Sequence, residues 1–296
     1  MSTNTHRPTL DEFLVAPLAT VREVAPATVI VATGGTRRRA MLDGIDIRSE
    51  AYPQQTRIHM IDAIELLLAY GAQHVFVPIL VDGNFNEETP DYRDHLFRWI
   101  ADGIAGPTAI DDYAQREWQV RLVGAEEDSP LWATATKLIA ATVSSTARCV
   151  WFTVAPSSTH AWEFALRKIV AAQATTHAAA VKAVYGQEIP VDGALLLDFG
   201  KPQIFTSAVP PLLICKLHCY WRQSLGYQIT EELVRRVIYD YAYNRPTWQI
   251  DKSARTDAIF EYADWYARPP ILGEGERLGP FWFPKPWSGP GDETPA

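Results

Sequence analysis

Six short runs, most of them nearly uninterrupted apolar residues, restrict this chain more than any other feature: Thr28–Ala32 (TVIVA), His74–Leu80 (HVFVPIL), Gln119–Val123 (QVRLV), Cys149–Val154 (CVWFTV), 194–197 (ALLL) and 212–220. A strand with one wet face alternates apolar and polar residues, whereas a strand buried on both faces does not. Between the runs lie longer segments with helical periodicity, so the chain reads as α/β, with a mainly parallel central sheet flanked by helices. Segment 54–71 (QQTRIHMIDAIELLLAYG) repeats Ile58, Ile61, Ile64, Leu67 and Leu68 at helical spacing, and Gly71 supplies a C′ residue. Further helices are expected at 92–104, 131–144, 161–185 and 230–244, the last opened by Thr230 as N-cap and ended by Pro246.

No repeat or linker divides the 296 residues, so one domain is expected over 1–296. From about 268 to 296 the chain is rich in proline, glycine and tryptophan and reads as an irregular segment on the surface; Trp282, Phe283 and Trp287 are expected to dock on the domain rather than line a cleft. A net charge of -8 argues against nucleic acid as partner. No stretch approaches the ~20 apolar residues of a membrane span, and the N-terminus has no apolar leader, so a cytoplasmic location is expected. Cys215 and Cys219 alternate onto one strand face with Leu217 while His218 points to the other, which disfavours a zinc site.

The segment that carries chemistry is VIVATGGTRRRAMLDG: a strand, two glycines, a threonine and three arginines. Ligands of open α/β sheets bind beyond the carboxyl ends of strands, where this loop falls. Gly34 and Gly35 let the backbone approach a phosphate, Thr36 adds a hydroxyl, and the guanidiniums of Arg37, Arg38 and Arg39 donate paired, charge-assisted hydrogen bonds. The loop matches neither the Walker A nor the dinucleotide pattern. Taken alone, it fits equally a glycine turn followed by a solvated arginine face.

The order of segments resembles the cis-prenyltransferase (undecaprenyl diphosphate synthase-like) superfamily: ATGGTRRR at 32–39, VPILVDGNFNE at 77–87, VRLVGAEEDS at 120–129, CVWFTVAPSSTHAWEFALRKIV at 149–170 and VDGALLLDFGKPQIFTSAVPPLL at 191–213. Gly35-Thr36-Arg37-Arg38, Tyr52-Pro53-Gln54-Gln55 and LVRRVIYDYAYNR at 233–245 are similar to the diterpene synthases of that fold, of the tuberculosinol and tuberculosinyl-adenosine synthase type. The resemblance implies a terpene synthase that ionises an allylic, bicyclic C20 diphosphate and ends the carbocation by water capture or proton loss. It also implies a homodimer, Mg²⁺ as cofactor, Arg37, Arg38 and Tyr52 as catalytic residues, and Lys201 and Ser207 as further diphosphate ligands.

This chain departs from the family at Gly34, where the relatives carry an aspartate, so Mg²⁺ loses an oxygen ligand there and its role is in doubt. Asp43, Asp46 and Asp82 are the candidates for a displaced carboxylate, each otherwise a solvated or capping group. The R-x-x-x-S-N set of the superfamily is incomplete after Leu197, which implies one diphosphate rather than two. Transfer to an acceptor, such as a nucleoside or isopentenyl diphosphate, and a non-catalytic diphosphate-binding partner subunit are the alternative readings. Trp151, Trp162 and Phe164 fit either a tunnel lining or core packing.

Overall fold

The computed structural model describes residues 7–85, 92–143, 146, 148–246, 256, 258–263 and 271–285. Six parallel strands form one sheet in the order β3-β4-β2-β1-β5-β6: β1 Thr28–Ala32, β2 His74–Leu80, β3 Gln119–Val123, β4 Cys149–Val154, β5 Asp192–Asp198 and β6 Lys216–Trp221. The first four coincide with the apolar runs; β5 is longer than expected and β6 starts later, after Pro210 and Pro211 have made a short 3-10 turn. Proline cannot donate to a sheet ladder, which excludes a strand at that point.

The chain runs from β1 to β2 on one side and from β5 to β6 on the other, so the loops at the carboxyl ends of β1 and β5 leave in opposite directions and open a crevice between them. Helices α1 Leu10–Leu14, α2 Leu18–Val24, α3 Thr36–Leu42, α4 Ala51–Ala69, α5 Asp82–Phe85, α6 Tyr92–Ala105, α7 Pro107–Gln115, α8 Trp132–Ala141, α9 His160–Ala171, α10 His177–Tyr185 and α11 Glu231–Tyr239 surround the sheet.

Helix α4 buries Met60, Ile61, Ile64, Leu67 and Leu68, and Gly71 follows it at φ 114°, a left-handed position that glycine takes without strain. Ile58, expected on the buried face, is 45% exposed. The expected helix 161–185 is two: Gln173 turns left-handed at φ 52°, and the Thr176 hydroxyl accepts from Ala179 N–H to start α10. Thr230 caps α11 as expected, and five residues of π-helix, Asp240–Asn244, extend it.

Two apolar clusters cover the faces of the sheet. One joins Val29, Val31, Leu195 and Leu197 to α4 and α11; the other stacks Trp151 on Phe76 at an interplanar angle of 10° and packs Ile30 and Leu196 beside them. Trp151 and Phe164 are therefore buried by packing, and Trp162 lies largely exposed; none borders the large cavity described below. The three cysteines are free. Leu217 and Cys219 share a face, while His218 meets Tyr241 on the other.

In the C-terminal segment the described residues 271–285 include regular structure where an irregular run was expected. Strands β7 Gly275–Leu278 and β8 Phe281–Pro284 form an antiparallel hairpin, and Phe281 stacks under the Arg38 guanidinium at 5.4 Å from its ring centroid. Trp282 and Phe283 lie outside the cavity wall; Trp287 is not among the described residues. Among the described residues, no helix is long and apolar enough to cross a membrane.

Candidate active site

The crevice between β1 and β5 deepens into a cavity of about 790 Å³. At its polar end the wall is Gly34, Gly35, Thr36, Arg37, Arg38 and Lys201; towards α4 and α6 it becomes Ile47, Met60, Leu96, Trp99, Ile100 and Ile104. The separation follows from the fold. Segments at the carboxyl edge carry Arg37, Arg38 and Lys201, and the helices that cover the sheet contribute mainly apolar faces, with Arg57 of α4, paired with Asp112, as the exception.

Gly35 lies at φ 75°, and a Cβ there would meet Leu225 Cδ2 at 2.7 Å and the Arg38 side chain at 2.9 Å. Glycine is thus needed at 35, so that the chain can leave β1 and enter α3 with Arg37 and Arg38 on the cavity side. Gly34 has no left-handed requirement, but a Cβ there would lie 3.1 Å from the Phe199 carbonyl oxygen. An aspartate at 34 would be crowded against that oxygen. The loop is backed by the segment after β6: Gly226 N–H donates to Gly34 O at 2.8 Å, and the Tyr227 hydroxyl hydrogen-bonds Thr33, its pKa pushed up to about 12 by burial.

Tyr52, in the first turn of α4, shares a 2.9 Å hydrogen bond with the Thr36 hydroxyl and packs edge-on against Trp99 at 6.0 Å. Burial raises its pKa, while the Thr36 hydrogen bond and the positive charge of Arg37 pull it down. The phenol is neutral at physiological pH and faces the boundary between the polar and apolar parts of the cavity.

Two of the expected diphosphate ligands are placed elsewhere. Arg39, one residue further round α3, turns away from the cavity and pairs with Asp43 at 2.7 Å. Ser207 is buried and donates its hydroxyl to Asp82 Oδ1 at 3.0 Å, joining the loop after β5 to the start of α5. The three carboxylates considered for the role of the absent aspartate are all engaged away from the cavity wall: Asp43 by Arg39, Asp46 by the Arg48 N–H at 2.9 Å, and Asp82 by Ser207 and the Gly83 N–H at 2.9 Å.

The carboxylate that does border the cavity is Asp198, the last residue of β5, paired in register with Ala32 of β1. Burial raises its pKa from 3.8 to about 6, opposed by hydrogen bonds from Phe199 N–H, at 2.6 Å, and from the Trp221 side chain. Sequence reading missed Asp198 because a lone aspartate at a strand end looks like any turn residue. It missed Tyr227 because nothing local links residue 227 to residue 33.

The folded value of Asp198 lies above the unfolded one, so folding disfavours the ionised form. That cost is absent below about pH 4, grows as pH rises, and is complete above about pH 6. Asp198→Asn keeps the acceptor for Phe199 N–H and removes the charge. It is expected to stabilise the protein by about 1–3 kcal/mol at pH 7.5, a rise of a few degrees in Tm, with the gain fading as pH is lowered from about 6 to 4. Calorimetry at the two pH values checks this; an unchanged or lower Tm at pH 7.5 would contradict it.

The residues present do not build a protein-held metal site. Among the described residues no group of three or more His, Cys, Asp or Glu could hold an ion, and the cavity wall offers Asp198 as its one described carboxylate. Mg²⁺ binds through hard oxygen ligands, commonly one or two carboxylates plus substrate phosphates. Positioned cations are the groups available here to meet an anion.

No family model matches the chain. It is 38% identical over 279 residues to the (+)-kolavelool synthase of Herpetosiphon aurantiacus, covering 94% of this chain and 96% of that protein. Its fold is shared with lavandulyl diphosphate synthase from Lavandula x intermedia, solved with dimethylallyl diphosphate, at a TM-score of 0.60 and 17% identity over 75% of this chain and 97% of that one. A probable undecaprenyl diphosphate synthase from Campylobacter jejuni superposes at a TM-score of 0.53 and 13% identity, over 75% of this chain and 97% of that one. With a relative aligned over nearly its whole length, the chain belongs to the family of (+)-kolavelool synthase, and its parallel sheet has the fold of the two solved synthases.

Proposed function

We propose that this protein is a diterpene synthase: it ionises an allylic, bicyclic C20 prenyl diphosphate, releases diphosphate and ends the carbocation by water capture. The observation that carries the reading is a cavity that gathers Arg37, Arg38 and Lys201 from the segments after β1 and β5 and mainly apolar side chains from α4 and α6, where Arg57 is already paired with Asp112. A diphosphate at the arginines leaves its hydrocarbon in the lobe formed by α4 and α6. Breaking the carbon-oxygen bond builds negative charge on the leaving group, and cations fixed in place stabilise that charge more in the transition state than in the bound substrate. On the hydrocarbon side, the faces of Tyr52 and Trp99 attract the developing positive charge.

Ser207, expected as a further diphosphate ligand at the incomplete R-x-x-x-S-N set, spends its hydroxyl on Asp82. This favours one diphosphate substrate over condensation with isopentenyl diphosphate. Water capture is favoured over proton loss because the related enzyme is named for a product with an alcohol ending.

The test is incubation of the purified protein with linear and bicyclic C10 to C20 diphosphates, read by mass spectrometry and by diphosphate release. A C20 alcohol is expected. In EDTA, release is expected to continue at a reduced rate, since the arginines supply the positive charge. Absence of diphosphate release from every substrate would remove the reading; a lengthened prenyl diphosphate formed from farnesyl and isopentenyl diphosphates would replace it with chain elongation.

A further inference from the structure

Water that captures a carbocation must lose a proton as its oxygen forms the new bond, and Asp198 is the one carboxylate among the described residues of the cavity wall. The β1–β5 register sets it beside Ala32, the residue from which the 33–38 loop departs, on a wall that also carries Arg37, Arg38 and Lys201 together with the apolar Phe199, Phe205 and Ala208. At position 34, where the resemblance places a carboxylate, a Cβ would lie 3.1 Å from the Phe199 carbonyl oxygen; Asp198 on the neighbouring strand brings a carboxylate to the cavity wall.

Two hydrogen bonds hold the Asp198 side chain in place, from the Phe199 N–H at 2.6 Å and from the Trp221 side chain, and neither donor is a cation. The cavity wall it shares also carries Arg37, Arg38, Arg57, Lys201, Tyr52 and Tyr227, and Cys219 lies near it on β6. Burial makes the carboxylate a stronger base than an exposed one while leaving it ionised at neutral pH.

Resting on the ionisation reading above, we propose that Asp198 is the catalytic residue that accepts the proton when water captures the carbocation. Diphosphate leaves with the electron pair of the broken carbon-oxygen bond. A lone pair of water forms the new carbon-oxygen bond, the water O–H bond breaks with its electrons staying on oxygen, and the proton passes to the Asp198 carboxylate. Asp198 then returns the proton to solvent as the alcohol departs. The competing acceptor is the departing diphosphate.

The experiment compares wild type, Asp198→Asn and Asp198→Ala on a bicyclic C20 diphosphate, with alcohol, hydrocarbon and free diphosphate measured separately and folding checked by circular dichroism. In both variants alcohol formation is expected to fall at least about a hundredfold, the scale of a lost general base. Diphosphate release should fall less, with the remaining product shifted towards hydrocarbon. Added formate, small enough for the space left in Asp198→Ala, should restore alcohol formation in proportion to its concentration. Alcohol formation within about threefold of wild type in both variants would overturn the proposal. So would an equal loss of release and alcohol without formate rescue. A wild-type enzyme that releases no diphosphate would refute the ionisation reading and the role of Asp198 with it, whereas an active wild type with indifferent variants would refute the Asp198 role alone.

Discussion

Replacing either Arg37 or Arg38 by alanine is expected to slow diphosphate release by about two to three orders of magnitude, the equivalent of ~3 kcal/mol of transition-state stabilisation. Both side chains border the polar end of the cavity, and the charge they would meet develops as the carbon-oxygen bond breaks. The loss should therefore fall on kcat more than on KM. Arg38 is exposed and Arg37 only half-buried, so neither truncation should unfold the protein; circular dichroism would verify that. Lysine at either position restores the charge but not the planar two-pronged donor, and Arg38→Lys also alters the cation–π contact with Phe281, so partial recovery is expected. A kcat within about threefold of wild type in Arg37→Ala or Arg38→Ala would take that arginine out of the mechanism.

The second large effect is expected at the other end of the cavity. Gly103 shares a helical face with Leu96, Trp99 and Ile100 on α6, all four border the cavity, and a Cβ built on Gly103 meets nothing within 4 Å. Gly103→Trp should fill the hydrocarbon lobe without strain in the helix, since any ordinary residue favours the helix over glycine. Turnover of C20 diphosphates is expected to drop about a hundredfold, because a substrate displaced by a bulky side chain no longer presents its reacting bond to the arginines. C10 diphosphates, short enough to stay at the polar end, should keep most of their turnover, and Gly103→Ala should resemble wild type. Equal losses on C10 and C20 substrates would mean that this lobe does not hold the hydrocarbon.

The two experiments address opposite ends of one cavity, and those ends were legible in the sequence to different degrees. The arginine run 37–39 could be singled out because strand, glycines, threonine and arginines are contiguous, and a loop at the carboxyl end of a strand has few alternatives to facing the sheet edge; the choice of Arg37 and Arg38 within it rests on the family resemblance. Gly103, Trp99 and Leu96 could not, because an apolar helix face reads the same whether it meets the core or an empty lobe. The split between Arg38 and Arg39 was equally hidden: adjacent residues on a helix point about 100° apart, and only the position of α3 decides which one meets the cavity and which one meets Asp43.

Sequence by itself determined what depends on local chemistry and short-range periodicity. The first four strands, the buried face of α4, the caps at Thr230 and Gly71 and the glycine turn after β1 all follow from side-chain alternation, helical spacing and backbone freedom within a few residues. The tertiary structure decided what depends on contacts distant in sequence. Residues 32 and 198 become neighbours through a parallel strand pair, Tyr227 comes to stand behind Thr33, Ser207 is claimed by Asp82, and Phe281 reaches Arg38. A parallel pair requires a crossover between its strands, so the partner of any strand end is set by sheet order, and no local pattern encodes it. For that reason the arginines could be named from the sequence, while the carboxylate that faces the cavity with them could be named only from the fold.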